Sequence, residues 1–355
     1  MPEPLTTMEA LPRYSFSDDY SEGTHPQVLD AVVHANGKQQ VAYGNDEYSK
    51  EARRLIRAKL SATEDEVAIH FVPTGTVANL ICIASCLRPY EAVVTADSGH
   101  ITCKEAGAIE ATGHKLITVG GVNGKLTAAN LEKAVRQNQA FPHMAKPRLV
   151  YISNATETGT IYTKQELESI RAVCNDWNLL LHMDGARIGV ALSALANDLR
   201  PRDLVDLVDI FWMSGTKMGA LFGEAVVVRS HIAEGFAFHI KQHGALMAKG
   251  RVMGAQFAEL FRGDLYFQMS AHANSMAKRV SDHFEQLGYS LFAATYTNQV
   301  FAILPQRVVD GLQERFSFYI WEQFDDRAVI RIVTSWATSP SAVDDFNAYL
   351  KKLSN

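Results

Sequence analysis

Two ionisable side chains stand directly after apolar runs of the sequence. Asp184 ends the run LLLHMD, and Lys217 follows the run DIFWMS within the segment MSGTKMG. A carboxylate at the end of a buried strand needs a cationic partner or a ligand, because an unpaired buried charge is costly. A lysine hemmed in by apolar strands has a lowered pKa and can act as a nucleophile. The structural alternatives are an ion pair between Asp184 and Arg187 and a lysine that extends into solvent.

Three further polar positions stand at or within apolar runs. Thr74-Gly75-Thr76 opens a helix-like segment, so it is either a helix N-cap or a set of free N–H groups for a phosphate. It is not a P-loop, because the Gly-Lys-Ser/Thr ending is absent. His100 follows EAVVTA and is either a capping or surface group or a site residue. Arg331 lies inside AVIRIVTSW, where a guanidinium needs an anionic partner.

The combination of these residues predicts a cofactor. Pyridoxal phosphate needs a lysine for a Schiff base, a carboxylate that keeps the pyridinium nitrogen protonated, and a phosphate-binding helix terminus. Lys217, Asp184 and the turn at Gly75 supply these three functions in one chain. The sequence therefore favours an enzyme that depends on pyridoxal phosphate. The presence of both Asp184 and Lys217 argues against a protein that only binds a ligand, because binding alone does not require a nucleophile.

The elements that position these residues follow from the hydropathy pattern. Continuous apolar runs predict strands buried on both faces, at 67–72, 91–96, 114–120, 148–153, 179–184, 209–214 and 224–229. Amphipathic stretches between them predict helices at 76–87, 102–112, 127–138, 163–177 and 187–197. This alternation is typical of an α/β fold with a seven-stranded, mostly parallel sheet. Strand 224–229 should be antiparallel, because GTKMGALFG is too short for a crossover helix.

The pattern changes after residue 230. A long helical stretch at about 230–287 precedes three strands and a terminal helix, which indicates a smaller α+β C-terminal domain. We predict a large domain over 20–245 and a small one over 246–355, with segment 1–19 near the site.

Composition excludes several classes of function. The chain has 355 residues, 47% hydrophobic and 21% charged, with a net charge of −5, which argues against nucleic acid or an anionic membrane as a partner. No apolar run reaches bilayer length, no secretory signal is visible, and four cysteines form no disulfide framework, so we expect a cytoplasmic protein. We expect no metal, because HIKQH at His239 and His243 lacks the HExxH glutamate. Ser214 and Lys217 match SxxK, but the accompanying SDN and KTG elements are absent.

The sequence resembles the low-specificity L-threonine aldolases of the β-eliminating lyase group, which are pyridoxal-phosphate enzymes with the aspartate aminotransferase-type fold (fold type I). The resemblance covers nearly the whole chain. Its motifs are FSDDYSEGTHPQVL, AYGNDEYS, TGTVAN, GHITCKEAG, ATETGT, HMDGARI, SGTKMGALFGEA and IRIVTSWATS. It implies cleavage of L-threonine or L-allo-threonine to glycine and an aldehyde, hence threonine catabolism and glycine biosynthesis. Another reaction of the same fold type, transamination or β-elimination, is the alternative.

The resemblance also implies roles for individual residues. Lys217 would form the Schiff base, and Asp184 would pair with the pyridinium nitrogen. The other implied contacts are Gly75, Thr76 and Ser214 at the phosphate, His100 over the cofactor ring, Arg187 at cofactor and substrate, and Arg331 and Ser17 at the substrate carboxylate. Tyr43 and Lys241, with Lys249 as an alternative to Lys241, would serve the neighbouring subunit's substrate and cofactor sites in a homodimer or homotetramer.

One segment departs from a pattern common in the family. A histidine-bearing segment is common where SNATETGT stands at 153–160, and here Thr156 and Glu157 occupy it. The identity of the catalytic base therefore stays open.

Overall fold

The computed structural model describes residues 13–354, so the predicted N-terminal segment is described only from residue 13 onward. Strand β1 (Tyr14–Ser15) is the first element, and the next seven strands form a central sheet. They are β2 (Val67–Val72), β3 (Glu91–Ala96), β4 (Lys115–Val119), β5 (Lys146–Ser153), β6 (Leu180–Asp184), β7 (Ile210–Ser214) and β8 (Glu224–Arg229). These bounds lie close to the seven predicted ones. Every residue of β3, β6 and β7 is buried, which explains the continuous apolar runs.

The strands lie side by side in the order β2-β8-β7-β6-β5-β3-β4. Strands β4, β3, β5, β6 and β7 pair in parallel, and β8 is antiparallel to both of its neighbours, as predicted. Ser153 pairs with Asp184 across β5 and β6, and Ser214 pairs with Glu224 across β7 and β8. The carboxyl ends of β5, β6 and β7 and the start of β8 therefore share one edge, where α/β sheets bind ligands.

Helices surround the sheet and continue into the C-terminal part. They are α1 (Pro26–Asn36), α2 (Glu47–Leu60), α3 (Gly75–Cys86), α4 (His100–Cys103), α5 (Ala128–Gln137), α6 (Lys164–Asp176), α7 (Ile188–Leu192), α8 (Pro201–Leu207), α9 (Phe236–Gln242), α10 (Arg251–Phe261) and α11 (Leu265–Gln286). Three predicted helical stretches were too long. The stretch 102–112 is interrupted because Ala106 and Gly107 have φ of +52° and +73°. The stretch 187–197 is helical only to Leu192, and 230–287 contains three separate helices.

The C-terminal part contains a smaller antiparallel sheet, as predicted. Its remaining elements are β9 (Leu291–Ala293), β10 (Gln299–Pro305), α12 (Gln306–Gln313), β11 (Phe316–Ser317), β12 (Tyr319–Gln323), β13 (Arg327–Val333) and α13 (Pro340–Ser354). The four-stranded order is β12-β13-β10-β9, while β11 pairs with β1. Side chains up to Ala273 of α11 pack into the core of the large sheet, and those from Met276 onward pack into a second core. The domain boundary predicted between residues 245 and 246 stays a prediction. The packing of α11 places the change from the first core to the second between Ala273 and Met276.

Within residues 13–354, none of the helices has both the length and the apolar composition that crossing a bilayer requires.

Gly254 allows close contact between α10 and α2. A Cβ atom at this position would lie 2.5 Å from the backbone nitrogen of Ser49 and 2.7 Å from its Cα. Backbone atoms cannot move aside as a flexible side chain can, so the two helices would have to separate. We expect Gly254→Ala to lower the free energy of unfolding by about 1–3 kcal/mol, the usual range for overpacking.

Urea denaturation checks this prediction. Gly37→Ala is the matched control, because a Cβ at Gly37 has only the His34 carbonyl oxygen nearby, at 3.8 Å. The control should be neutral or slightly stabilising, since alanine restricts the unfolded chain. Equal shifts for the two variants would mean that the contact between α2 and α10 tolerates a methyl group.

Candidate active site

A cavity of about 280 Å³ opens at the carboxyl edge of the central sheet. Its size lies near the lower end of the range for small-molecule sites. The structure brings seven of the predicted site residues together in its lining: Gly75, Thr76, His100, Asp184, Arg187, Ser214 and Lys217. They come from segments that follow β2, β3, β6 and β7, so the sheet topology alone explains why positions distant in sequence meet.

Asp184 is buried, with 3% of its surface exposed, and three donors hold its carboxylate. Tyr151 Oη donates to Oδ2 at 2.7 Å, and Asn79 Nδ2 donates to the same oxygen at 2.9 Å. The Ala186 N–H donates to Oδ1 at 2.9 Å. The ion pair between Asp184 and Arg187 that the sequence left open does not form. Hydrogen bonds from neutral donors hold this carboxylate instead, in one fixed orientation.

Asn79 connects Asp184 to the rest of the cavity wall. Its Nδ2 also donates to Glu105 Oε1 at 2.7 Å, and its Oδ1 accepts from Trp212 Nε1 at 2.9 Å. His182 Nε2 lies 3.1 Å from the same Oδ1. Sequence reasoning did not assign Asn79 a role. The available signal was an isolated amide in the apolar helix GTVANLICIASC, four residues after Gly75 and therefore on the same helix face.

The turn at Thr74 forms a helix N-cap, and its role as a phosphate site stays a prediction. Thr74 is the N-cap of α3, because its Oγ1 accepts from the Val77 N–H at 3.2 Å. The N–H groups of Gly75 and Thr76 make no hydrogen bond to the described part of the protein, as expected for the first turn of a helix. A Cβ at Gly75 would lie 2.9 Å from Trp212 Cη2, so glycine is needed for the helix to approach this ring. The turn thus caps the helix and leaves donors for an anion.

Lys217 and Glu224 both line the cavity. Burial and the positive charge of Arg187 lower the pKa of Lys217, against the opposing charges of Asp19, Asp184 and Glu224. Burial raises the pKa of Glu224 to about 8, although Thr216 Oγ1 donates to it at 2.9 Å. A half-buried amine with a lowered pKa is a ready nucleophile, as the sequence predicted. The Ser214 hydroxyl lies beside it and accepts from the Lys217 N–H at 3.2 Å.

His100 is held by two glutamates. Its ring Nδ1 lies 2.7 Å from Glu105 Oε1, and its backbone N–H donates to Glu157 Oε1 at 3.0 Å. Glu105 and Glu157 both line the cavity. Atoms of His100, Glu105 and Asp184 lie within 4.8 Å of one another and are of metal-ligand type, but the amide of Asn79 already binds both carboxylates.

Arg187 is paired with a residue that sequence reasoning missed. Its Nε and Nη2 donate to the two carboxylate oxygens of Asp19 at 2.8 and 2.9 Å; the Asp19 side chain is fully buried, and 13% of the Arg187 side chain is exposed. Asn298 Nδ2 donates to Asp19 as well, at 2.8 Å. Burial by itself would raise the pKa of Asp19, but the charges of Arg187 and Lys217 and these hydrogen bonds outweigh it, so the pKa lies below its usual value.

Arg331 and Ser17 lie together but are not among the residues that line the cavity. Arg331 Nη2 donates to the Ser17 carbonyl oxygen at 3.3 Å, and the guanidinium carbon lies 4.8 Å from the Tyr319 ring centroid and 5.7 Å from that of Trp321. Among residues 13–354 no carboxylate forms a salt bridge with Arg331. The anionic partner that the sequence demanded is therefore not supplied by the described chain.

Tyr43 and Lys241 lie outside the cavity, on an exposed surface beside α9. Lys241 Nζ lies 4.9 Å from the Tyr43 ring centroid, and the Tyr43 N–H donates to the Ala248 carbonyl at 3.0 Å, one residue before Lys249. Neither residue contributes to the site of its own chain.

Comparisons with known proteins agree with this geometry. The β-eliminating lyase family model matches residues 16–306. The low specificity L-threonine aldolase of a Pseudomonas species is 32% identical over 342 residues, which cover 94% of this chain and 96% of that protein. A solved threonine aldolase structure from Leishmania major has a TM-score of 0.94 and 42% identity, covering 96% of this chain and 100% of that one. The aspartate aminotransferase of Thermus thermophilus, 11% identical with a TM-score of 0.70 over 96% of this chain and 91% of its own, shares the fold alone.

The pairing of Asp19 with Arg187 generates a stability prediction. Asp19→Ala leaves a buried guanidinium without its carboxylate, and removal of one partner from such a pair costs about 3–5 kcal/mol. Asp18→Ala is the matched control, because the Asp18 carboxylate binds only the neighbouring Tyr20 N–H and Ser21 hydroxyl near the surface. Urea denaturation should show a large loss of stability for Asp19→Ala and a small loss for Asp18→Ala.

The pH dependence checks the same pair. Because the pKa of Asp19 is lowered in the folded state, its contribution is complete above the ordinary aspartate pKa of about 4 and is lost as the pH falls further. The stability difference between the wild type and Asp19→Ala should therefore shrink in acid. A difference that is constant from neutral pH to strong acid would contradict the assignment.

Proposed function

This chain belongs to the β-eliminating lyase family, and from that premise we propose that it is a pyridoxal-phosphate-dependent aldolase. The proposed reaction cleaves L-threonine or L-allo-threonine to glycine and acetaldehyde. The observation that carries the proposal is the meeting of Lys217, Asp184 and the free N–H groups of α3 in one cavity. Relatives named threonine aldolase, 32% and 42% identical to this chain, support the same substrate class.

The residues present fit the cofactor. The unpaired N–H groups of Gly75 and Thr76, with the Ser214 hydroxyl, are donors suited to a phosphate. Asp184 would face the ring nitrogen and hold a proton there, and Lys217 would hold the aldehyde carbon covalently. Trp212 lies so close to Gly75 that the turn has no room for a larger residue at this position. Because glycine has no side chain, the N–H groups of the turn stay accessible.

The side chains of this site have separable tasks. When bound, pyridoxal phosphate supplies an electron sink for the pair released from the substrate Cα–Cβ bond. Three neutral donors hold the Asp184 carboxylate in one orientation at one end of the site. Burial and the charge of Arg187 lower the pKa of Lys217, so its amine can attack and leave a carbon centre more readily than an ordinary lysine. His100 shields one side of the cavity, and its orientation is fixed by Glu105.

The substrate carboxylate is assigned to Arg331, with Ser17 beside it. Asp19 already balances the charge of Arg187, whereas the charge of Arg331 has no carboxylate partner among residues 13–354. Burial and the repulsion from Arg187 lower the pKa of Arg331, and an anion between the two arginines would relieve that repulsion. Arg187 then acts as the second, partly neutralised cation of the carboxylate site.

We also propose an oligomeric state, a cellular compartment and a metabolic role. Tyr43 and Lys241 lie on an exposed surface with Phe238, which is 81% exposed, so a second copy of the chain would use them in its own site within a homodimer or homotetramer. All four cysteines are free, which suits a reducing, cytoplasmic compartment. There the reaction would serve threonine catabolism and glycine biosynthesis.

The function is tested with protein purified and loaded with pyridoxal phosphate. The protein should be yellow, and threonine should give glycine and acetaldehyde in equal amounts when the two products are assayed separately. Borohydride should fix the cofactor on Lys217, as read by peptide mass spectrometry. Lys217→Ala should lose both colour and turnover, whereas Lys278→Ala should keep both, because Lys278 pairs with Asp282 on the exposed face of α11.

Other products point to other reactions. Ammonia with a 2-oxo acid would indicate β-elimination, and loss of the amino group to the cofactor would indicate transamination. Label on any lysine other than Lys217 would overturn the assignment of the site.

Substrate anchoring is tested by Arg331→Lys. Lysine keeps the charge but loses the planar fork, and loss of one charged hydrogen bond worth about 1.5 kcal/mol should raise KM for threonine about tenfold. Glycine, which carries the same carboxylate, should bind more weakly in parallel, while the cofactor absorbance stays intact. Arg327→Lys on the same strand is the control, because Arg327 is exposed against the Phe324 ring. Unchanged KM and glycine affinity would make Arg331 a structural residue.

A further inference from the structure

Glu157 lies in the loop that follows β5 and lines the same cavity as Lys217. Its Oε1 accepts two hydrogen bonds, from the His100 N–H at 3.0 Å and from Ser153 Oγ at 2.8 Å. Its Oε2 makes no hydrogen bond within residues 13–354. One oxygen is therefore anchored to the protein, and the other is free to meet a ligand.

The other carboxylates of the cavity are less available. Asp184 is held by three donors, and Glu105 Oε1 is shared between His100 and Asn79. The second oxygens of Glu105 and Glu224 are buried in protein without a partner, whereas Glu157 Oε2 is not among the buried oxygens of the described chain. Among the carboxylates that line this cavity, Glu157 therefore has an oxygen, Oε2, that is both accessible and without a hydrogen bond within residues 13–354.

The electrostatic surroundings of Glu157 make it a stronger proton acceptor than an ordinary glutamate. Burial raises the pKa of Glu157, the hydrogen bond from Ser153 opposes this, and the charge of Asp184 adds to the rise. A base is most effective when its pKa approaches the working pH. The titratable and charged groups that face Glu157 from the surrounding elements are His100, Cys103, Glu105, Tyr151, Tyr162, Asp184 and Arg187, with Lys217 and Glu224 elsewhere in the cavity lining.

We propose that Glu157 is the catalytic base that accepts the β-hydroxyl proton of the amino-acid substrate. This inference rests on the proposed aldolase function and names the group that the sequence left unassigned. The β O–H bond breaks, its proton passes to Glu157 Oε2, and its electron pair forms the second carbon–oxygen bond of the aldehyde. The Cα–Cβ bond breaks, and its electron pair stays with Cα. Cα then takes a proton from water to complete glycine, and Glu157 returns its own proton to the hydroxide that remains.

Glu157→Gln is the test variant, because the amide oxygen can still accept from His100 and Ser153 while the group no longer accepts a proton. We expect kcat for threonine to fall about 10²–10⁴-fold, the usual contribution of general base catalysis. Glycine has no β-hydroxyl, so its affinity, read from the cofactor absorbance, and the exchange of its α-protons with deuterium should stay within about threefold of wild type. Glu157→Asp, which keeps a carboxylate, should retain more threonine cleavage than Glu157→Gln.

Thr158→Ala is the matched control, since Thr158 belongs to the same loop but does not line the cavity. It should cleave threonine at close to the wild-type rate. A slow Thr158→Ala variant, or a Glu157→Gln variant that loses glycine binding along with cleavage, would show that the loop acts structurally and would overturn the proposal. So would Glu157→Gln with kcat within about threefold of wild type.

A measurement on the cofactor-free protein is independent of turnover. Infrared difference spectra of wild type minus Glu157→Gln isolate the carboxyl of Glu157 from that of Glu224. The Glu157 carboxyl should titrate between acidic and neutral pH, and its midpoint should match an acidic limb of the kcat/KM profile that Glu157→Gln lacks. A carboxyl that stays protonated at the assay pH cannot act as a base, which would overturn the proposal. Wild-type protein that does not cleave threonine at all would instead refute the aldolase function itself.

Discussion

The buried negative charge of Asp184 is the constraint on which the site depends. A carboxylate with 3% of its surface exposed is tolerated only if hydrogen-bond donors replace water. Each donor comes from a different part of the chain: Tyr151 from β5, Asn79 from α3, and Ala186 from the turn after β6 itself. Hydrogen bonds to charged groups are worth about 1.5–3 kcal/mol each, so the positions of these elements are linked energetically as well as by packing.

Asn79 extends this constraint across the cavity. Its amide binds two carboxylates on one side and accepts from Trp212 on the other, so the orientations of Asp184, Glu105 and Trp212 are set by one side chain. Glu105 in turn holds the His100 ring. The face that would meet the cofactor is therefore fixed by the protein itself, and binding need not order it at further cost.

The segment around β1 connects the two cores. Phe16 is buried in the second core, Ser17 contacts Arg331, and Asp19 pairs with Arg187 beside the large sheet. Asp19 balances the charge of Arg187 but not that of Arg331 as well, so these three side chains together keep a net positive charge. The proposed sites for the cofactor and for the substrate carboxylate would thus come from separate parts of the fold, joined by the segment from Ser17 to Asp19.

The sequence by itself determined the sheet and the residues that follow its strands. Fully buried strands leave continuous apolar runs, and a short connection requires an antiparallel neighbour, so β2 to β8 and the positions of Asp184 and Lys217 could be predicted locally. The interruption of the predicted helix at Ala106 and Gly107 and the helix end at Leu192 could not, because they depend on backbone conformations that the apolar pattern does not report. The partners of Asp184 and Arg187 were decided only by the tertiary structure. Tyr151, Asn79 and Asp19 are distant in sequence, and which donor reaches a buried charge depends on how strands and segments are brought together in space.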